Sequence, residues 1–161
     1  MLIAFLGLLH LCNWILEGIG DFTQLNDAIA WATGDPEKVL SLQTIVGPIF
    51  AVLAFVIGVG SSDLMTAGEL LGTKFFFNEF IAFTDLGKLS AEGKLDPKSV
   101  FLLSFALCGF SNFGSIGIQI GGIGALAPEI RPILAKLAFR AMIGGTIASL
   151  LTASVAGMFY R

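Results

Sequence analysis

Phe75-Phe76-Phe77-Asn78-Glu79-Phe80-Ile81 sets an amide and a carboxylate in the middle of an apolar run. A carboxylate among phenylalanines must be paired, neutral or solvated by a polar ligand, because an isolated charge is expensive where no water reaches it. The rest of the chain says that lipid, not water, surrounds this run. The 161 residues are 55% hydrophobic and only 13% charged, with a mean hydropathy of +0.87, whereas a soluble domain carries about a quarter charged residues. Twenty glycines and 15 phenylalanines stand against a single tyrosine, and glycine is commoner in membrane helices than in soluble ones.

Outward from that run, five apolar segments emerge at 2–16, 39–58, 64–83, 100–127 and 133–159, separated by polar stretches at 17–38, 84–99 and 128–132. The first has no positively charged leader and no small-residue cleavage site, so it does not read as a signal peptide. It rises only about 22 Å, short of the roughly 30 Å hydrocarbon core. Residues 1–16 therefore read as a partial transmembrane helix, and the chain as cut short at its start. Arg131, Lys136 and Arg140 against Glu129 place 128–140 on the cytoplasmic side. The stretch 17–38, with Glu17, Asp21, Asp27, Asp35 and Glu37, and the balanced 84–99 then fall outside. Parity requires 39–58 and 64–83 to make no net crossing, either as two full spans or as one interfacial helix plus one re-entrant hairpin, and the sequence favours the second. The expectation is an all-α, multi-pass integral protein of the cell membrane. It comprises an interfacial helix (39–58), a re-entrant helical hairpin (63–86), a broken transmembrane helix (100–127) and a last transmembrane helix (133–159).

The hairpin reading rests on Ser61, Ser62 and Asp63, which supply a helix start, and on Glu69, Lys74, Asn78 and Glu79, which interrupt what should be lipid-facing surface. A backbone that turns at depth near Asn78 and Glu79 is tolerated only where protein or a water-filled cavity surrounds it. The alternative for Glu79 is an ion pair with Lys74 or another buried base. Glu69, five positions before Lys74, competes for the same base and reads as structural. The segment 100–127 contains Gly109, Gly114, Gly117, Gly121, Gly122 and Gly124 together with Ser111, Asn112, Ser115 and Gln119. Each glycine lowers helix propensity by about 1 kcal/mol relative to alanine, and discontinuous helices near the midplane are the usual construction of secondary-transporter sites. Most of the glycines read as packing, Gly117 and Gly121 forming a small-xxx-small pair. Asn112 joins Glu79 as a binding candidate, because a buried amide without a partner costs several kcal/mol.

A net charge of −3 without a basic cluster argues against nucleic acid as a partner. Cys12 and Cys108 read as buried small hydrophobes, and the single His10 as packed against a neighbouring helix. Gly58-Val59-Gly60-Ser61-Ser62-Asp63 lacks the lysine and strand of a phosphate loop and reads as a turn and helix cap. His-Glu-x-x-His, Gly-x-Ser-x-Gly and Cys-x-x-Cys patterns are missing. An intramembrane hydrolase using Asp63 and Asp85 would need the two carboxylates to converge at depth, yet they flank the hairpin near the water boundary. No catalytic residue, metal site or organic cofactor is expected, and the chain does not read as an enzyme.

Ala67-Gly68-Glu69-Leu70-Leu71-Gly72-Thr73-Lys74, Asn78-Glu79-Phe80 and Ala106-Leu107-Cys108-Gly109-Phe110-Ser111-Asn112-Phe113-Gly114-Ser115-Ile116 closely resemble the C-terminal half of concentrative nucleoside transporters. The likeness continues through Gly121-Gly122, Ala127-Pro128, Arg140-Ala141-Met142 and Gly145-Thr146 to Ala156-Gly157. It implies a homotrimeric nucleoside symporter driven by Na⁺ or H⁺, built from two inverted repeats of which this chain is the second. Glu79 matches the glutamate that binds ribose hydroxyls, and Phe110, Asn112 and Ser115 match the ribose-side positions on the broken helix. The first repeat, which reads the nucleobase and holds most ligands of the coupling ion, is absent, so the missing N-terminal half would be needed for transport. The rival expectations are a truncated or non-transporting membrane subunit, and a carrier of another small polar solute.

Overall fold

The computed structural model describes residues 2–34 and 36–160; Asp35 of the acidic stretch lies outside the described residues. Among the described residues all regular structure is helical: α1 (Leu2–Phe22), α2 (Leu25–Thr33), α3 (Leu42–Val56), α4 (Leu64–Phe76), α5 (Glu79–Ala91), α6 (Pro97–Ala106), α7 (Phe113–Leu126) and α8 (Arg131–Met158). Short 3-10 turns at Ser61–Asp63 and Pro128–Ile130 lead into α4 and α8.

The first helix does not stop with its apolar run at Leu16. It continues through Glu17 and Asp21 to Phe22, so its 21 residues rise about 31 Å, and the 22 Å expected from the sequence measured the apolar run alone. Gln24 then turns the chain with a left-handed backbone, φ 60°, and α2 forms inside what reads as a polar connection. Asn26 secures that return. Its amide donates to the Asp21 carboxylate at 2.6 Å and the Glu17 carbonyl at 3.0 Å, and its oxygen accepts from the Leu40 N–H at 2.7 Å.

Helix α3 starts at Ser41, whose hydroxyl accepts from the Thr44 N–H at 3.1 Å, and runs antiparallel along α4. Contact is closest where small residues meet. A Cβ on Gly68 would strike the Gly47 carbonyl and come within 2.7 Å of the Ala51 nitrogen, and one on Gly72 would meet Val46 at 2.8 Å. The opposite face of α3 leaves Ile45, Ile49, Val52, Phe55 and Val56 exposed, a stripe that hydrocarbon, not water, would cover.

After Phe77 the chain reverses, and α5 returns antiparallel to α4, running past the expected boundary at 86 to Ala91. The base of this hairpin is closed by Asp63. That residue makes no side-chain cap for α4; its carboxylate accepts instead from the Asp96 N–H at 2.9 Å, and from the Ser62 hydroxyl at 3.0 Å. Asp96 in turn caps α6. Helices α6 and α7 form the two halves of the broken helix, and α8 runs antiparallel beside both. Arg131 packs on Gly124 at one end, Ser111 faces Gly145 midway, and Leu102 meets Gly157 at the other end. The stretch Pro128–Met158 is long and apolar enough to cross a membrane. The core joins Ala54 of α3, Leu71 of α4, Leu86 of α5, Leu102, Leu103 and Ala106 of α6, and Ala153 of α8. It gathers at the hairpin's base and along its arms, so the tip is presented from a packed platform.

Candidate substrate site

Two helices begin near one another and face the same place. Asn78 is extended, φ −167°, and its side-chain oxygen accepts from the Ile81 N–H at 2.9 Å, which caps α5. Asn112 is extended too, φ −142°, and caps α7 by accepting from the Ser115 N–H at 2.8 Å and the Ser115 hydroxyl at 2.9 Å. An asparagine at this position satisfies a helical N–H that would otherwise have no partner. Glu79 follows its cap in the first turn of α5, where the positive end of the helix favours a carboxylate.

The two starts are bridged by one bond: the Asn112 amide donates to the Glu79 carboxylate, Nδ2 to Oε2, at 2.9 Å. Glu79, Asn112 and Ser115 therefore form a continuous hydrogen-bonded chain from the hairpin tip across the helix break. Phe110, the fourth expected residue, belongs to the break and stands 76% exposed beside them. Gly109 permits its position with φ 101°, a backbone conformation that glycine adopts without strain. Bonding capacity remains for a solute. Glu79 has a second carboxylate oxygen, and Asn112 a second N–H, whereas the Asn112 oxygen is already taken twice.

A cavity of about 260 Å³ opens beside this chain, lined by Phe110, Ser111, Asn112, Ser115 and Gln119 on one wall and Met142 and Gly145 of α8 on the other. The buried Ser111 hydroxyl has no hydrogen-bond partner among the described residues, and a buried unsatisfied group of this kind costs about 1–3 kcal/mol. Sequence reasoning counted Ser111 and Gln119 among the polar residues of the break without assigning them to the site. The only available signal was the position of Ser111 between Phe110 and Asn112.

The pairing with Lys74 that the sequence left open for Glu79 and Glu69 is not formed. Glu69 binds Lys38 at 2.7 Å, and Lys74 pairs with neither Glu69 nor Glu79. Residues five apart on a helix point roughly 140° away from each other, so Glu69 and Lys74 occupy different faces. Lys74 turns toward α6 and α8, where its ammonium donates to backbone carbonyls and a hydroxyl. His10 packs edge-on against Phe77 at the hairpin tip, ring centres 5.7 Å apart. Cys12 is half-buried and Cys108 exposed, so the thiol of the break is not the core hydrophobe its apolar neighbours suggested. Asp85 engages Lys88 at 3.3 Å, and Asp63 the hairpin's base.

Residues 1–157 match the family described as Na+ dependent nucleoside transporter C-terminus. The chain belongs to the concentrative nucleoside transporter family. It is 40% identical over 163 residues to an uncharacterized transporter of Haemophilus influenzae, covering 99% of this chain and 36% of that protein. It is 46% identical over 120 residues to the putative nucleoside permease NupX of Escherichia coli, 74% of this chain and 29% of that one. It is 37% identical over 172 residues to sodium/nucleoside cotransporter 1 of Rattus norvegicus, 99% of this chain and 25% of the cotransporter. Among solved structures, CNTnw in an inward-facing substrate-bound state superposes with TM-score 0.77 at 36% identity, over 98% of this chain and 35% of CNTnw. A CNTnw variant in an intermediate state reaches TM-score 0.83, over 99% and 37%. The chain thus spans about a third or less of the length of these relatives. The relatives are transporters and not enzymes, and the chain is an all-α integral membrane protein of their fold.

Proposed function

We propose that this chain forms the ribose-binding half of the substrate site in a sodium-coupled nucleoside symporter of the cell membrane. The bond between Asn112 and Glu79 carries this reading, because it brings an acceptor and a donor together at the meeting point of the hairpin tip and the broken helix. One ribose hydroxyl donates to the remaining Glu79 oxygen, its neighbour accepts from the second Asn112 N–H, Ser115 holds Asn112 in place, and the exposed Phe110 ring lies against the sugar. Hydrogen bonds to a charged group contribute about 1.5–3 kcal/mol each, enough for a sugar with vicinal hydroxyls to be selected.

The multi-pass topology, the homotrimer, the nucleobase contacts and most ligands of the ion belong to the same proposal, the last two supplied by the portion of the relatives that this chain does not span. Sodium is favoured as the coupling ion by the family description and by the rat relative's name. In the complete carrier, Glu79→Gln should lower uptake of radiolabelled uridine by at least about tenfold at unchanged membrane abundance. Uptake at the wild-type rate would remove the ribose clamp.

A further inference from the structure

Lys74 is a buried ammonium group, 2% exposed, that makes no ion pair among the described residues. Its nitrogen donates to the Ala106 carbonyl at 2.8 Å, the Ser149 hydroxyl at 2.8 Å and the Cys108 carbonyl at 3.3 Å. An ammonium has three N–H donors, and three oxygens take them. Ala106 is the last residue of α6 and Cys108 lies in the unwound segment beyond it. The Ala106 carbonyl is among the acceptors that a helix end leaves without intrahelical partners, at the end where the helix favours a cation, and the Cys108 carbonyl belongs to the unwound backbone just beyond it. Ser149 belongs to α8, and its own proton goes to the Thr146 carbonyl at 2.9 Å, so it meets Lys74 with lone pairs. One side chain of the hairpin thus ties together both sides of the break's entrance and the long helix behind it.

The connectivity gives this tie a consequence for the site. Lys74 precedes Glu79 by one helical turn and the tip, and Cys108 precedes Asn112 across the break. The Lys74 bonds and the Glu79–Asn112 bond are therefore two cross-links between the same two short segments, and they close a ring. A second cross-link restrains the pivoting that a single one would leave to the unwound segment. A buried ammonium is expensive at depth, and an apolar side chain of similar length would avoid that cost.

We propose that Lys74 is a positioning residue for substrate binding, a tethered cation that fixes the unwound segment 107–112 against the hairpin tip and so holds Asn112 within reach of Glu79. The consequence for nucleosides rests on the ribose-clamp reading, whereas the pinning of the break by an ammonium does not. In the complete carrier in proteoliposomes at constant pH, Lys74→Met and Lys74→Ala should each raise the KM for uridine at least about tenfold. Lys74→Ala also leaves a space lined by three oxygens. Added methylammonium should enter it and restore the low KM saturably, while tetramethylammonium, which has no N–H, should not, and neither should change the wild type. An unchanged KM in Lys74→Met, or no rescue of Lys74→Ala by methylammonium, would overturn the proposal. Ser149→Ala, a mild change that keeps the lysine, should raise the KM by about threefold through loss of one acceptor, and an unchanged KM there would also count against it should the lysine variants not reach the membrane. If Glu79→Gln abolishes uptake but the Lys74 variants are normal, the positioning role fails alone. If Glu79→Gln is normal while methylammonium rescues Lys74→Ala, the clamp fails and the pinned break stands with another ligand.

Discussion

Asn78 and Asn112 begin two helices in the same way, yet only Asn112 is also bonded across to the other helix start. Both are extended, and both accept a hydrogen bond from the N–H three residues on. They differ in the other half of the amide. The Asn112 nitrogen donates to Glu79, and its residue is 3% exposed; Asn78 is half-buried, and its nitrogen has no partner among the described residues. A cap is thus a local device set by three residues of sequence, whereas the bond from Asn112 to Glu79 depends on packing elsewhere, which aims a spare donor across the fold.

That difference can be broken from either side. Asn112→Asp keeps the capping oxygen but replaces the donor with a second carboxylate against Glu79. Like charges at this distance repel strongly, so uridine uptake should fall by roughly a hundredfold, and thermal stability in detergent should fall with it through the repulsion although the cap of α7 is kept. Asn112→Ala removes cap and donor together. Uptake should fall about tenfold and stability by about 1 kcal/mol, read from the same pair of assays. Asn78→Ala should lower stability by a similar 1 kcal/mol or so but change uptake by less than about threefold. A large uptake defect in Asn78→Ala with a normal KM in Asn112→Ala would invert the assignment.

The hairpin turn and the helix break were legible because each is a polar interruption in an apolar run. Asn78-Glu79 and Ser111-Asn112 mark them to within a residue or two of where α4 and α6 give way to α5 and α7. The candidate residues Glu79 and Asn112 stood out for the same reason, since an amide or carboxylate in lipid needs an explanation. Helix α2 was not, because its turns lie in a stretch whose composition reads as a connection and whose reversal depends on Asn26 reaching Glu17, Asp21 and Leu40. Nor was the environment of Lys74. Charges in a sequence invite pairing with charges, but its partners are two backbone carbonyls and a hydroxyl 75 residues away, and a carbonyl at a helix end carries no mark in the sequence. Asp63 misled in the opposite direction, reading as a cap for α4 while its carboxylate closes the hairpin's base onto Asp96.

The proposed clamp assigns recognition of vicinal sugar hydroxyls to Glu79 and Asn112. The direct measurement is competition of uridine and 2′,3′-dideoxyuridine for radiolabelled uridine uptake by the complete carrier, in the wild type and in Glu79→Gln. The wild type should prefer uridine by at least about tenfold, and the variant should lose most of that preference, since a hydrogen bond to a charged partner is worth about 1.5–3 kcal/mol. Equal competition by the two nucleosides in the wild type, or an undiminished preference in Glu79→Gln, would rule out the clamp.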